Sequence, residues 1–292
     1  MATPADWIEG LRPRTLPAAI SPVLAGTGIA WFEGKFSWPL ATLALVVALG
    51  MQIGANFAND YSDGIRGTDD ARVGPMRLVG SGAATPAQVR GTSFFSFGVA
   101  AAAGLAIVFM TGQWWLLLVG AACILAAWFY TGGKHPYGYI GLGEVFVFVF
   151  FGLVAVAGTV YIQVGEVSAA AWWAAVAIGA LACAILIANN LRDIESDRAT
   201  GKLTLATRLG DMGTRFFFGG TLLVAYGAVF AVALTSSWWA LMGLGMTVTL
   251  VGPVWEVSKG VTGRELIPVL KQTGFAEAVC ALGLLVGLVI AH

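Results

Sequence analysis

Apolar residues run along this chain in blocks long enough to cross a bilayer. A helix traversing about 30 Å of hydrocarbon needs roughly 20 apolar residues. Blocks of that kind lie at 15–32, 39–58, 92–111, 114–131, 142–163, 170–190, 215–234, 237–255 and 272–291. The pattern predicts an all-α, polytopic membrane protein: nine transmembrane helices in a ring-like bundle with a polar cap on the cytoplasmic side. The third and fourth blocks are parted only by Thr111-Gly112-Gln113. The start does not read as a removable signal, because polar MATPADWIEGLRPRT leads into a full-length span with no small-residue cleavage site behind it.

Composition agrees with the pattern. Of 292 residues 58% are hydrophobic and 11% charged, against about 25% charged in a typical soluble domain. Formal net charge is zero, which argues against nucleic acid as a partner, and no obligate protein partner is evident. Nine spans put the termini on opposite sides of the membrane, and all 16 Lys and Arg residues except Lys35 then fall on the side of the N-terminus. The positive-inside rule makes that side cytoplasmic and leaves the C-terminus outside. The long polar connections at 59–91, 132–141, 191–214 and 256–271 share the cytoplasmic face, so chemistry is expected there. Cys123, Cys183 and Cys280 sit in apolar stretches without CxxC or Cys/His pairing, which supports neither zinc nor a disulfide. The 39 glycines fit close helix packing in lipid.

A weak internal repeat organises the chain. Asn59-x3-Asp63 recurs 130 positions later as Asn189-x3-Asp193, and Ala25-Gly26-Thr27 is echoed by Ala157-Gly158-Thr159. One integral-membrane domain over 1–292 is expected, with half-repeats at about 12–135 and 138–256 and a ninth helix at about 272–291. An offset of four spans makes the halves parallel, so both Asn/Asp clusters emerge on one face and can meet.

Those clusters carry the candidate chemistry. In NNLRDIESD (189–197), Asn189, Asp193 and Asp197 are spaced i, i+4, i+8, one oxygen-bearing stripe over about two helical turns. In NDYSDGIRGTD (59–69), Asn59 and Asp63 repeat the spacing and Asp60 lies alongside; Gly64 and Gly67 then break the helix before Asp69. An aspartate inside a membrane costs about 2.5–3.5 kcal/mol on insertion scales, so two such clusters at matching positions call for a function beyond solvated helix ends. Oxygen ligands without His or Cys select Mg²⁺ or Ca²⁺, and Mg²⁺ commonly shares its coordination with substrate phosphate. Cations lie in the same loops: Arg66, Arg72, Arg77, Lys134, Arg192, Lys202 and Arg208. Tyr61, Tyr130, Tyr137 and Tyr139 fit an interfacial aromatic belt or rings that stabilise a developing cation; Tyr130 is the foremost candidate for the latter. Glu144 and Glu277 lie just inside the fifth and ninth spans, as helix-end residues or as groups that handle substrate or protons. No Walker A spacing occurs.

With these residues in hand, the chain resembles the UbiA superfamily of intramembrane aromatic prenyltransferases. The resemblance rests on the two clusters, on YTGGKHPYGYIGLGE (130–144) and on the nine spans. RPRTLPAAISPVLAGTG (12–28), GPMRLVGSG (74–82) and NNLRDIESDRATGKLTLATRLG (189–210) are similar to the branch that uses 1,4-dihydroxy-2-naphthoate. The usual first motif of the superfamily has an Asp where this chain has Gly67. The next carboxylate here is Asp69, a D-x5-D form that resembles the naphthoate branch.

The resemblance implies Mg²⁺ held by Asn59, Asp63, Asp69, Asn189, Asp193 and Asp197, with Asp60 beside them and the cations named above on the diphosphate. It implies Asp63, Asp193, Lys134 and Tyr130 as the residues that carry catalysis, and Arg14 and Tyr137 as contacts of the aromatic acceptor. The substrates would be a polyprenyl diphosphate and 1,4-dihydroxy-2-naphthoate, and the tail would leave sideways into the bilayer of a bacterial cytoplasmic membrane. Another acceptor (4-hydroxybenzoate, homogentisate, a tetrapyrrole) is the alternative within the class. A transporter is the alternative outside it, but predicts charge along both faces.

Overall fold

The apolar blocks fold as helices whose ends are set by recognisable caps. The computed structural model describes residues 2–67, 76–134 and 136–292, and among these there is no strand. Helix α1, Pro4–Gly10, begins with a capping box between Thr3 and Asp6. It leads through a short turn into α2, Leu16–Phe32. Helix α3, Trp38–Arg66, runs for 29 residues and stops at Gly67, whose φ of 72° closes the helix in a conformation that glycine adopts without strain. Helix α4, Pro86–Thr111, opens with a second capping box, Thr85 and Gln88. Helix α5 is Leu116–Phe129. The next span is composite: α6, Gly143–Val147, a ten-residue π-helical stretch, Phe148–Ala157, and α7, Gly158–Val164. Helix α8, Ala169–Arg192, is followed at once by the short α9, Ile194–Ala199. Helix α10, Leu205–Thr235, bends at Gly210. A 3₁₀ stretch, Trp238–Gly245, joins α11, Met246–Lys259, and α12, Ile267–Ala291, closes the chain.

Eight of these stretches are long and apolar enough to cross a membrane, and the protein is a multi-pass membrane protein. The block expected to span at 114–131 differs: α5 has 14 residues, about 21 Å at 1.5 Å per residue, and none of its side chains is buried. A turn at Gly112–Leu117 takes its first residues, and a second turn at Tyr130–Gly132 takes its last.

Helix α8 is the packing axis. Its Ala171, Ala174, Ala175, Ala177 and Ile178 are fully buried, and it packs against α10, α12, α2 and the π-helical stretch. Small residues permit this because helices in lipid associate through close van der Waals contact rather than a hydrophobic drive. Gly152 meets Gly179 backbone to backbone: a Cβ at 152 would lie 2.6 Å from the Ala175 carbonyl oxygen and 2.7 Å from Gly179 Cα. Gly26 is as tight, since its Cβ would stand 2.7 Å from Thr159 Cβ. The two echoed Ala-Gly-Thr segments therefore touch, one from α2 and the other from the start of α7.

Gly152→Val should force the π-helical stretch off α8 and destabilise the detergent-solubilised protein by about 1–3 kcal/mol, the usual range for overpacking. Gly158→Ala is the control, because nothing lies within 4 Å of its added Cβ; thermal unfolding of both variants checks the contrast.

Candidate active site

The two Asn/Asp clusters sit at the ends of α3 and α8, and the structure brings them together through the turn between α5 and α6. The second cluster crosses a helix break without losing its stripe. Helix α8 ends at Arg192, yet Asp193 N donates to Asn189 O at 3.2 Å and Asp197 N to Asp193 O at 2.8 Å. Asn189, Asp193 and Asp197 thus keep the i, i+4 helical step into α9.

Asp193, Asp197 and Asp63 each have a counter-charge beside them, as an ionised carboxylate in low-dielectric surroundings requires. Arg192 Nε and Nη2 grip the two oxygens of Asp193, both at 2.6 Å, and Nη2 reaches Asn189 Oδ1 at 2.9 Å. Lys202 Nζ lies 3.5 Å from Asp197. In the first cluster Asp63, 8% exposed, accepts from the Tyr139 hydroxyl at 2.7 Å and pairs with Arg77 at 3.6 Å. Asn59 Oδ1 accepts from the Thr131 hydroxyl at 2.7 Å. Among the described residues no three His, Cys, Asp or Glu side chains converge as a ligand group on their own; the interposed cations keep the carboxylates apart.

Tyr139 is the bridge. Its hydroxyl is on Asp63, Lys202 Nζ lies 5.3 Å from its ring centroid, and the Arg66 guanidinium 5.6 Å from it. The turn that carries it is pinned from two sides. Arg66 of α3 donates to the carbonyls of Thr131 and Gly133. From the other side Leu203 N donates to Tyr139 O at 2.9 Å, and Arg208 Nη2 to Ile140 O at 3.0 Å.

Several expected roles change. Asp60, expected near the metal, is 1% exposed, and its two oxygens accept from the backbone N–H of Leu78 (2.8 Å) and Val79 (3.0 Å); it clamps the 76–84 segment onto α3. Arg66 and Arg208, expected on diphosphate, hold backbone carbonyls instead. The Tyr137 hydroxyl, expected at the acceptor, donates to Ala126 O at 2.6 Å, and its ring stacks on Phe146 at 3.9 Å; burial pushes this phenol above the ordinary tyrosine range. Arg14 lines a recess of about 400 Å³ with α12 residues such as Lys271 and Gln272, and no cluster residue forms its wall.

Lys134 is exposed and makes no hydrogen bond or ion pair with the described residues. Tyr130 packs edge-on against Tyr137 at 5.5 Å and lies within electrostatic range of Glu144, Asp63 and Asp197. Asp69 and Arg72 lie outside the described residues.

Thr131 and Asn190 were not singled out from the sequence as site residues, and Tyr139 was named only as one of four tyrosines near that face. The available signal was their placement, Thr131 and Tyr139 within YTGGKHPYGY and Asn190 directly after Asn189.

A bundle of membrane helices with two acidic–amide clusters meeting at one end defines a class, and comparison with known proteins agrees. Residues 19–266 match the model of the UbiA prenyltransferase family, and the chain belongs to that family. It is 52% identical over 282 residues, 97% of this chain and 96% of the relative, to 1,4-dihydroxy-2-naphthoate octaprenyltransferase of Mycobacterium tuberculosis. Identity with the Escherichia coli protein of the same name is 41% over 223 residues, 74% of this chain and 72% of that one. The fold is shared with a UbiA homolog from Archaeoglobus fulgidus bound to GPP and Mg²⁺: TM-score 0.72 at 16% identity, over 97% of this chain and 99% of that one.

Asp60→Ala should leave the Leu78 and Val79 amides unpaired, costing about 1.5–3 kcal/mol per charge-assisted bond lost. Hydrogen exchange at those amides should accelerate about tenfold or more. Unchanged exchange would return Asp60 to the metal.

Proposed function

We propose that the protein transfers a polyprenyl group from a polyprenyl diphosphate to 1,4-dihydroxy-2-naphthoate, with release of pyrophosphate and CO₂, giving demethylmenaquinone in its reduced, quinol form. The observation that carries this reading is the meeting of the two clusters across Tyr139, between Arg66 and Lys202, in a member of the UbiA family. The acceptor is inferred from the relatives named for that activity.

Charge balance supports a divalent ion. Among the described residues, Asp63, Asp193 and Asp197 are paired with Arg77, Arg192 and Lys202. A diphosphate brings about three further negative charges, which a low-dielectric site does not accept without cations that accompany it. The donors, all Asp and Asn oxygens with no His or Cys, fit Mg²⁺. Asn59, Asp63, Asn189, Asp193 and Asp197 are the described residues that would hold it. Bound there, Mg²⁺ supplies Lewis-acid charge to the departing diphosphate.

The chain's own groups do the rest. Arg77, Arg192 and Lys202, released from their carboxylates, turn to the diphosphate oxygens as the C–O bond breaks and its electron pair leaves with pyrophosphate. Exposed Lys134 joins them from the turn. The Tyr130 ring faces the allylic carbon and stabilises its charge. Ring electrons of the naphthoate form the new C–C bond, and the pair of the C–CO₂ bond returns to the ring as CO₂ leaves. The carboxylate's charge cancels that of the allylic cation, so the exchange releases no net proton and needs no general base. The bias of cations to one side supports a cytoplasmic site in a bacterial inner membrane.

Purified protein given Mg²⁺, a polyprenyl diphosphate and each aromatic acceptor separately should prenylate 1,4-dihydroxy-2-naphthoate; product with 4-hydroxybenzoate alone would reject the acceptor assignment. Asp63→Asn and Asp193→Asn should each lower kcat by about 10²–10³-fold, as loss of an electrostatic catalytic group does. Normal turnover in both would remove the clusters from the chemistry. Chelation by EDTA should abolish turnover, and excess Mg²⁺ should restore it.

A further inference from the structure

Beside the second cluster stands a buried carboxyl that the reaction described above does not use. Glu144 opens α6 and is 6% exposed. Its Oε1 accepts from Asn190 Nδ2 at 2.9 Å, and its backbone carbonyl accepts from the Cys183 thiol at 3.1 Å. Its Oε2 is buried with no hydrogen-bond partner among the described residues. A carboxyl oxygen stranded in an apolar bundle is costly, so a site that retains one has a use for it when loaded.

Position narrows that use. Asn190 follows Asn189 on α8, and residues adjacent on a helix point about 100° apart. One asparagine therefore serves the cluster while the next holds Glu144. Glu144 also lies within electrostatic range of Tyr130 and Lys202, both beside the space between the clusters. Glu277 in α12 is fully buried as well, but neither of its oxygens is bonded to a described residue, so unlike Glu144 it has no bonded neighbour on α8 to orient it.

We infer that Glu144 Oε2 is the receptor for the acceptor's 4-hydroxyl, the one that lies para to the hydroxyl flanking the carboxylate. The inference rests on the naphthoate reading of the acceptor. Of the two hydroxyls of 1,4-dihydroxy-2-naphthoate, the one beside the carboxylate closes an internal hydrogen bond to it. The other has no partner within the molecule. Inside an apolar bundle it needs a protein oxygen, and Glu144 Oε2, buried within electrostatic range of Tyr130, needs a donor. With Asn190 fixing the other oxygen, the carboxyl is oriented before the ring arrives, and this contact sets the ring's rotation beneath the diphosphate.

The test sets the apparent affinity for the dihydroxy acceptor, read from its Michaelis constant, against that for an analogue lacking the remote hydroxyl, 1-hydroxy-2-naphthoate, read as a competitive inhibitor. Wild-type protein should favour the dihydroxy compound by about 10- to 100-fold, the value of one hydrogen bond to a buried charged group. Glu144→Ala should shrink that preference to within about threefold while leaving the Michaelis constant for the prenyl diphosphate unchanged. Glu144→Gln keeps an oxygen for Asn190 but presents an amide that only donates; it should lose preference too, and it guards against misfolding of the alanine variant. A preference that survives either substitution overturns the inference, as does a wild-type protein without any preference. If the wild-type protein prenylates no naphthoate at all, the acceptor reading itself fails, and the inference falls with it.

Discussion

An ionised carboxylate inside an apolar bundle needs its counter-charge within reach, and that constraint shapes the end of the bundle where the two clusters meet. Asp193 is gripped at both oxygens by Arg192, Asp197 is paired with Lys202, and Asp63 lies between Tyr139 and Arg77. Asp60 meets the same demand differently, through two backbone amides rather than a cation. The pairing does more than make the carboxylates tolerable. It stocks the site with cations whose partners are displaceable, so a metal-bound anion can exchange partners with the protein.

The turn at 130–142 depends on that arrangement. It is held from two sides, since Arg66 of α3 holds its start and Leu203 and Arg208 hold its end. Guanidinium groups suit the task because each offers several donors in a fixed fork to carbonyls that no helix satisfies. The outcome is that Tyr139 reaches Asp63 of α3 with Lys202, from the segment after α9, over its ring. A turn stitched this way keeps the clusters in register even though they lie on different helices.

How much of this was legible in the sequence follows from the range of each interaction. Hydropathy is local, so eight of the expected spans are long apolar helices, and α5 falls short because turns at Gly112–Leu117 and Tyr130–Gly132 consume its ends. Spacing is also local, so the Asn189, Asp193, Asp197 stripe survives the break after Arg192. The same geometry puts Asp60 about 100° around α3 from Asn59, a cue that it faces elsewhere. What it faces, the amides of Leu78 and Val79, is a tertiary fact. The arginines were harder still. Arg66 and Arg77 are alike by charge and by loop, and only the folded backbone decides that one holds carbonyls while the other holds Asp63.

Helix α8 joins the two sides of the site. Its small residues let four neighbouring elements approach closely enough for polar groups on separate spans to touch, and its last turn presents Asn189 and Asn190 in different directions. Asn189 answers to Arg192 and the charge of the cluster, Asn190 to Glu144 and the uncharged interior. A prenyl transfer needs both settings within one molecule's width: a strongly charged pole that draws off the diphosphate, and an apolar, hydrogen-bonding pole that holds an aromatic ring while excluding water from the allylic cation. Two adjacent residues on one rigid helix fix the separation of those poles. Relative placement of donor and acceptor is therefore tied to α8 packing, and any change that shifts α8 moves both poles together.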